Sequence, residues 1–272
     1  MCVPKIKKCA LREEGRELLE QLTTRGLSQK VPADRKVLSI ASTPRGERRL
    51  EVSRSSMSLD KSRASARPIA PYLGGKRNLA KRICRVIDSH EHTTYAEPFV
   101  GMGGIFLRRA KPARAELIND RNREVYTLFR VLQEHYVAFL DLLRFQLTTQ
   151  ANFNRLAQQP PDTLTDMQRA ARFLYLQRTA FGGKVRKQSF GLSADRAGRF
   201  NLTTLEPDLE ALHSRLSGVT VTCMDFEEFV SRIDRPGALF YLDPPYWGSE
   251  QDYGRDAFRR EDFGRISGQM QQ

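Results

Sequence analysis

Apolar positions along this 272-residue chain follow two patterns. Short unbroken apolar runs bounded by Gly or Pro predict buried strands. Apolar residues spaced three or four apart predict helices with one buried face. The clearest short run is Ala238-Leu239-Phe240-Tyr241-Leu242, set between Gly237 and Pro244-Pro245. Proline cannot donate to a sheet ladder, so this strand is expected to stop at Asp243. Residues 93–99, 114–118 and 219–223 predict three more strands. Helical spacing predicts helices over residues 78–89 (Leu79, Ile83, Val86, Ile87) and over 123–146 (Val125, Leu128, Phe129, Leu132, Phe139, Leu140, Leu143). Residues 104–109, 166–180 (Phe173, Leu174, Leu176) and 227–232 predict further helices, and Glu261 opens a last one. Strands separated by helices make an α/β chain.

The first 67 residues break this pattern. They contain no Phe, Tyr or Trp, and they carry 16 Lys and Arg against 8 Asp and Glu. Such a stretch buries too little apolar surface to offset its ordering entropy, so a disordered basic extension is expected, with at most a short helix over residues 11–22. The whole chain has a formal charge of +13 and a pI near 9.9, which points to a polyanionic partner, nucleic acid first. There is no apolar run long enough for a membrane helix and no secretory signal. Cys2, Cys9, Cys84 and Cys223 lie far apart without metal-ligand spacing, and read as reduced thiols of a cytoplasmic protein.

The candidate chemistry gathers where predicted strands end. Asp243-Pro244-Pro245-Tyr246 places a carboxylate, a stiff carbonyl and an aromatic face at a strand's carboxyl end. In open α/β sheets ligands sit in the crevice outside those ends. A planar base can stack on Tyr246. Asp243 and the Pro244 carbonyl can accept hydrogen bonds from an aromatic amino group, localising its lone pair and aiming it at an electrophile. The plainer reading of an isolated Asp-Pro-Pro-Tyr is a turn that ends a strand. Tyr72-Leu73-Gly74-Gly75-Lys76 feeds a helix, where backbone amides and a lysine can meet an anion. Glu97-Pro98-Phe99-Val100-Gly101-Met102-Gly103-Gly104 is a glycine-rich turn after a strand, with spacing too short for the dinucleotide fingerprint. Asp120 ends the second strand, placed either for a ribose hydroxyl pair or to cap the next helix. Asp225 reads as a helix cap, or with Phe226 as a contact for an adenine ring. Residues 178–191 interleave glycines, aromatics and basic residues in a hairpin-like stretch that suits either a DNA groove or plain solvation.

These blocks, from Tyr72 through Asp243-Pro244-Pro245-Tyr246, resemble the Dam-like adenine-specific DNA methyltransferases and follow that family's order over residues 69–272. The resemblance implies a doubly wound, mostly parallel sheet of the S-adenosylmethionine-dependent methyltransferase fold, with a helical and hairpin target-recognition insert. The chain then divides into a basic extension (1–67), a first catalytic part with the cofactor site (68–146), the insert (147–215) and a second catalytic part (216–272). It implies site-specific methyl transfer to the adenine amino group of double-stranded DNA, the base being flipped out. Asp243, Pro244, Pro245 and Tyr246 would hold the base. Tyr72, Lys76, Glu97, Pro98, Phe99, Gly101, Gly103, Asp120, Asp225 and Phe226 would hold S-adenosylmethionine. Arg178, Lys184, Arg186 and Lys187 would contact DNA. No metal and no membrane are implied, and a maintenance or a restriction–modification role stays open.

Relatives continue past this block with further strands, whereas 26 residues follow Tyr246 here and none predicts a strand. The expectation is an incomplete sheet with the 238–242 strand as an exposed apolar edge, in a truncated, prophage-derived member of weak or no activity. The alternatives are a remnant that only binds DNA, a cytosine amino-methyltransferase, and an enzyme acting on RNA or protein. Asp rather than Ser before Pro-Pro favours adenine over cytosine.

Overall fold

The computed structural model describes residues 36–38, 65–183, 185, 188–192, 195, 197–247, 253 and 258–269. Its strands are β1 (Lys36–Leu38), β2 (Thr94–Glu97), β3 (Ala115–Asn119), β4 (Thr220–Thr222) and β5 (Ala238–Tyr241). The helices are α1 (Ala80–Asp88), α2 (Arg123–Glu134), α3 (Tyr136–Leu143), α4 (Gln150–Gln158), α5 (Asp166–Thr179), α6 (Leu202–Arg215), α7 (Phe226–Ile233) and α8 (Arg260–Gln269). All the strand pairs are parallel, in the order β1-β5-β2-β3-β4. Four of these strands lie within residues 94–241, and β1 is a short addition at the edge.

The strand order explains where a site can form. From β2 the chain steps to β3 and then β4 on one side, and returns to β5 on the other. The carboxyl ends of β2 and β5 therefore diverge into two different loops and leave a crevice between them.

The apolar runs form strands because both faces of the sheet are covered. Tyr95, Ile118, Leu239 and Tyr241 join the large core with α1 to α6, while Ala96, Ala238 and Phe240 meet Phe229 and Ile233 of α7. Side chains alternate across the pleat, so β2, β3 and β5 each feed two cores. Complete burial of a Leu or Phe contributes about 1.5–3 kcal/mol, which favours this register over a one-residue slip.

Three expectations change. The predicted helix over residues 123–146 is two helices, α2 and α3, because His135 leaves helical geometry (φ −132°, ψ 32°). The break falls at Gln133-Glu134-His135, where the apolar stripe is interrupted. There Gln133 donates instead to the Leu216 and Val219 carbonyls. The predicted helix over 104–109 shrinks to a 3₁₀ turn, Phe106–Arg108. The β5 edge, expected to be bare, pairs with β1, Val37 lying opposite Phe240. An edge with open N–H and C=O groups is a ready template for another strand. Residues 1–35 and 39–64 of the expected basic extension, including 11–22, lie outside the described residues.

Candidate functional site

A cavity of about 780 Å³ opens outside the carboxyl ends of β2 and β5. Of the residues singled out from the sequence, Tyr72, Lys76, Glu97, Phe99, Gly101, Asp120, Arg178, Asp243, Pro244 and Pro245 line it. Strand β2 stops at Glu97 because Pro98 has no N–H to continue the ladder. The turn that follows needs its glycines. Gly101 (φ +50°) and Gly103 (φ +72°) occupy the left-handed region, and a Cβ would stand 3.0 Å from the Tyr72 ring at the first and 2.8 Å from Leu107 at the second. Gly103 thus shapes the turn from behind, as does Pro98, whose carbonyl accepts from Asn119.

The tip after β5 is built around one ion pair. Lys76 Nζ lies 2.7 and 2.6 Å from the two carboxylate oxygens of Asp243, and donates to Tyr246 Oη at 2.7 Å and to the Gly74 carbonyl at 3.0 Å. The lysine therefore fastens the Tyr72–Lys76 loop to the tip, across 167 positions of sequence. Burial pushes the Asp243 pKa up, and Lys76 works against that rise. For Lys76 burial disfavours the ammonium, but Asp243 and then Tyr246 outweigh it and raise its pKa. Tyr241, two residues before Asp243 on the same face of the strand, donates to Asp243 Oδ2 at 3.4 Å. Tyr246 itself stays about half exposed, with the Lys76 ammonium 4.9 Å from the centre of its ring.

Two more carboxylates face this cavity. Glu97 is buried, accepts from Tyr95 Oη at 2.5 Å, and has its pKa pushed up to about 8, by burial above all. Asp120 is lifted to about 6 by burial, against the Asn122 and Gly101 amides that donate to it at 2.8 Å each. Asp120 thus fixes the glycine turn to the end of β3, while the cap of α2 is Asn122. Each Asp120 oxygen keeps a second lone pair for another donor.

The Glu97 pKa sets a pH dependence. Folded Glu97 keeps its proton up to about pH 8, whereas an ordinary glutamate releases it near 4.5. The folded state binds the extra proton in that window, so this contribution to stability is present below about 4.5 and is lost as pH rises toward 8. Thermal unfolding of Glu97→Gln beside the parent tests this. The parent's advantage should shrink steadily between pH 5 and 8, and a pH-independent difference would contradict it.

Asp225 and Phe226 are not brought into the cavity. Asp225 caps α7 through the Glu227 amide and is held by Arg265 of α8 at 2.5 and 3.1 Å and by Arg121 at 3.2 Å. The Arg265 guanidinium sits 4.7 Å from the centre of the Phe226 ring, which also meets Phe99 and Phe258. Arg178 lines the cavity from α5 but donates to the Ile69 and Arg199 carbonyls, tying the insert to the segment that precedes Tyr72. The hairpin begins as expected, with Ala180 bridged antiparallel to Phe190. Lys184, Arg186 and Lys187 lie outside the described residues. Sequence reasoning missed Tyr95, Tyr241, Arg121 and Arg265. The first two were within its reach, since each lies two positions before a singled-out acid and so shares its face.

A parallel sheet whose order reverses beside a crevice at the strand ends defines an open α/β protein of the ligand-binding kind. The sequence profile of the D12 class N6 adenine-specific DNA methyltransferases matches residues 72–267, and the chain belongs to that family. Among its relatives, the type II methyltransferase M1.LlaDCHI of Lactococcus lactis subsp. cremoris is 27% identical over 76% of this chain and 77% of its own length. The type II methyltransferase M.CviBI of Paramecium bursaria Chlorella virus NC1A is 25% identical over 74% of this chain and 77% of its own. The DNA adenine methylase of Serratia marcescens is 25% identical over 66% and 67%.

The family acts on DNA and takes its methyl group from S-adenosylmethionine. The cavity fits such a donor. Asp120 keeps a lone pair on each oxygen for hydroxyl or ammonium hydrogens of the donor, the glycine turn leaves room beside it, and Glu97 and Asp243 line the same cavity. Among the described residues no helix is long and apolar enough to cross a membrane.

Proposed function

We propose that this chain methylates the exocyclic amino group of adenine at specific sites in duplex DNA, with the target base turned out of the helix. The observation that carries this reading is the geometry of the tip. Asp243, Pro244 and Pro245 border the cavity, and Tyr246 stands exposed beside it.

In this reading Asp243 and the Pro244 carbonyl accept the two amino hydrogens, and Tyr246 stacks on the ring. The lone pair is then held out of conjugation and aimed at the methyl carbon. S-adenosylmethionine, when bound, supplies that electrophilic methyl group on a leaving sulfur. Glu97, Phe99, Gly101 and Asp120 would hold the donor, with Tyr72 packed against the glycine turn. Lys76 keeps Asp243 ionised, and Asp243 is placed to take the proton that the methylated amine must lose. A base stacked inside a duplex cannot reach the cavity, which is why flipping belongs to the proposal. Residues 178–191 and the helices before them would serve as the target-recognition insert.

Asp225 and Phe226 would join the donor site only if α8 moved away from them, since Arg265 covers both. The test is nucleoside chromatography of unmethylated DNA after incubation with the protein and S-adenosylmethionine. N6-methyladenine is the expected product. N4-methylcytosine in its place would transfer the same chemistry to the other amino base and overturn the adenine assignment.

A further inference from the structure

Outside the cavity, a second groove of about 370 Å³ lies on the outer flank of α1. Arg77, Lys81, Arg85 and Arg108 line it. Lys81 and Arg85 stand one helical turn apart and are exposed, as is Arg77 in the turn that leads into α1. Arg77 and Lys81 have no ion-pair partner among the described residues. Arg108 lies deeper, anchored by a 2.6 Å hydrogen bond to the Gly104 carbonyl. Burial lowers its pKa, and the nearby cations Arg77 and Arg67 push it the same way.

Like charges gathered with so little compensation destabilise the isolated protein, and an anion relieves them. The one acid in the groove is Asp88, at the far end of α1, and the buried Arg109 guanidinium lies 3.9 Å from it. The groove adjoins the cavity, with Arg77 and Arg108 lining both.

We propose that the outer face of α1 is a track for the phosphate backbone of the duplex whose base enters the cavity, Arg77, Lys81 and Arg85 contacting phosphates along one strand. The proposal rests on the function argued above and adds a contact surface separate from the insert. Lys81 and Arg85 are separated by roughly 6 Å along the helix, about the advance of two phosphates along one strand. Backbone contacts of this kind carry no sequence information, so they fix the position of the duplex while other groups read it.

The experiment is fluorescence anisotropy of a labelled mixed-sequence duplex titrated with the full chain over a series of salt concentrations. Lys81→Ala/Arg85→Ala should lower the slope of log affinity against log salt by about two, and Arg77→Ala by about one more. Binding should weaken equally on duplexes of different sequence. Arg114→Ala/Arg235→Ala removes the same charge from the amino ends of β3 and β5, at the opposite end of the sheet, and should leave the slope near that of the parent. The charge-conserving Lys81→Arg/Arg85→Lys should also keep the parental slope. An unchanged slope in Lys81→Ala/Arg85→Ala, with the parent binding DNA, overturns the α1 track alone. Failure of the parent to bind duplex overturns the functional reading with it.

Discussion

Replacing Asp243 with alanine is expected to lower methyl transfer by roughly 10²–10³-fold or more, while DNA binding is largely kept. An aromatic amino group is a weak nucleophile because its lone pair is delocalised into the ring. With Asp243 gone, the Pro244 carbonyl is the one remaining acceptor at the tip, so the amino group is neither localised nor aimed. The same change leaves Lys76 without its carboxylate, 2.6 Å away in the parent, so a lone ammonium would face the space proposed for a cationic donor. Both effects act on the reacting centre. Phosphate contacts dominate affinity for duplex, and those proposed here lie on α1, so the dissociation constant for DNA should change little. Asp243→Asn keeps one acceptor oxygen and should fall between the two. A variant as active as the parent would remove Asp243 from the mechanism.

Lys76→Met is expected to alter the pH dependence as much as the rate. Burial already raises the Asp243 pKa, and Lys76 is the main force opposing it. Without the ammonium the acid keeps its proton to still higher pH. A protonated carboxyl group offers a donor where the amino group needs an acceptor. Activity is lost as pH falls through the Asp243 pKa, so in Lys76→Met this loss should begin at higher pH than in the parent. The variant should fall further behind the parent as pH falls and recover part of the gap as pH rises. Lys76→Arg keeps the charge and should keep the parental acid limb. Profiles of parent and Lys76→Met that run parallel would show that Lys76 acts by some route other than the charge of Asp243.

What could be read from the sequence was what depends on neighbours along the chain. The 238–242 run was legible because Gly237 and two prolines bound it, and it forms β5 ending at Tyr241. The glycine turn after Glu97 was legible because positive φ and close approach leave no other residue type comfortable there. Pairings between distant positions were not legible. Nothing around Lys76 announces that it meets Asp243, and nothing around Arg265 announces that it covers Asp225. The break at His135 was missed because two apolar stripes in register look like one. The partner of the β5 edge was missed because three residues, Lys36–Leu38, make a strand only when an apolar edge stands ready to pair with them. Arg178 carried the right charge for DNA, but its donors go to two carbonyls, and composition cannot distinguish those uses.

The most direct test of the central claim is transfer of label from methyl-labelled S-adenosylmethionine to unmethylated duplex DNA, by the parent chain and Asp243→Ala side by side. The account predicts label that stays with the DNA for the parent and close to none for the variant, with both proteins folded and both binding duplex. Equal labelling by the two, or none from a folded parent that binds duplex and cofactor, would contradict it.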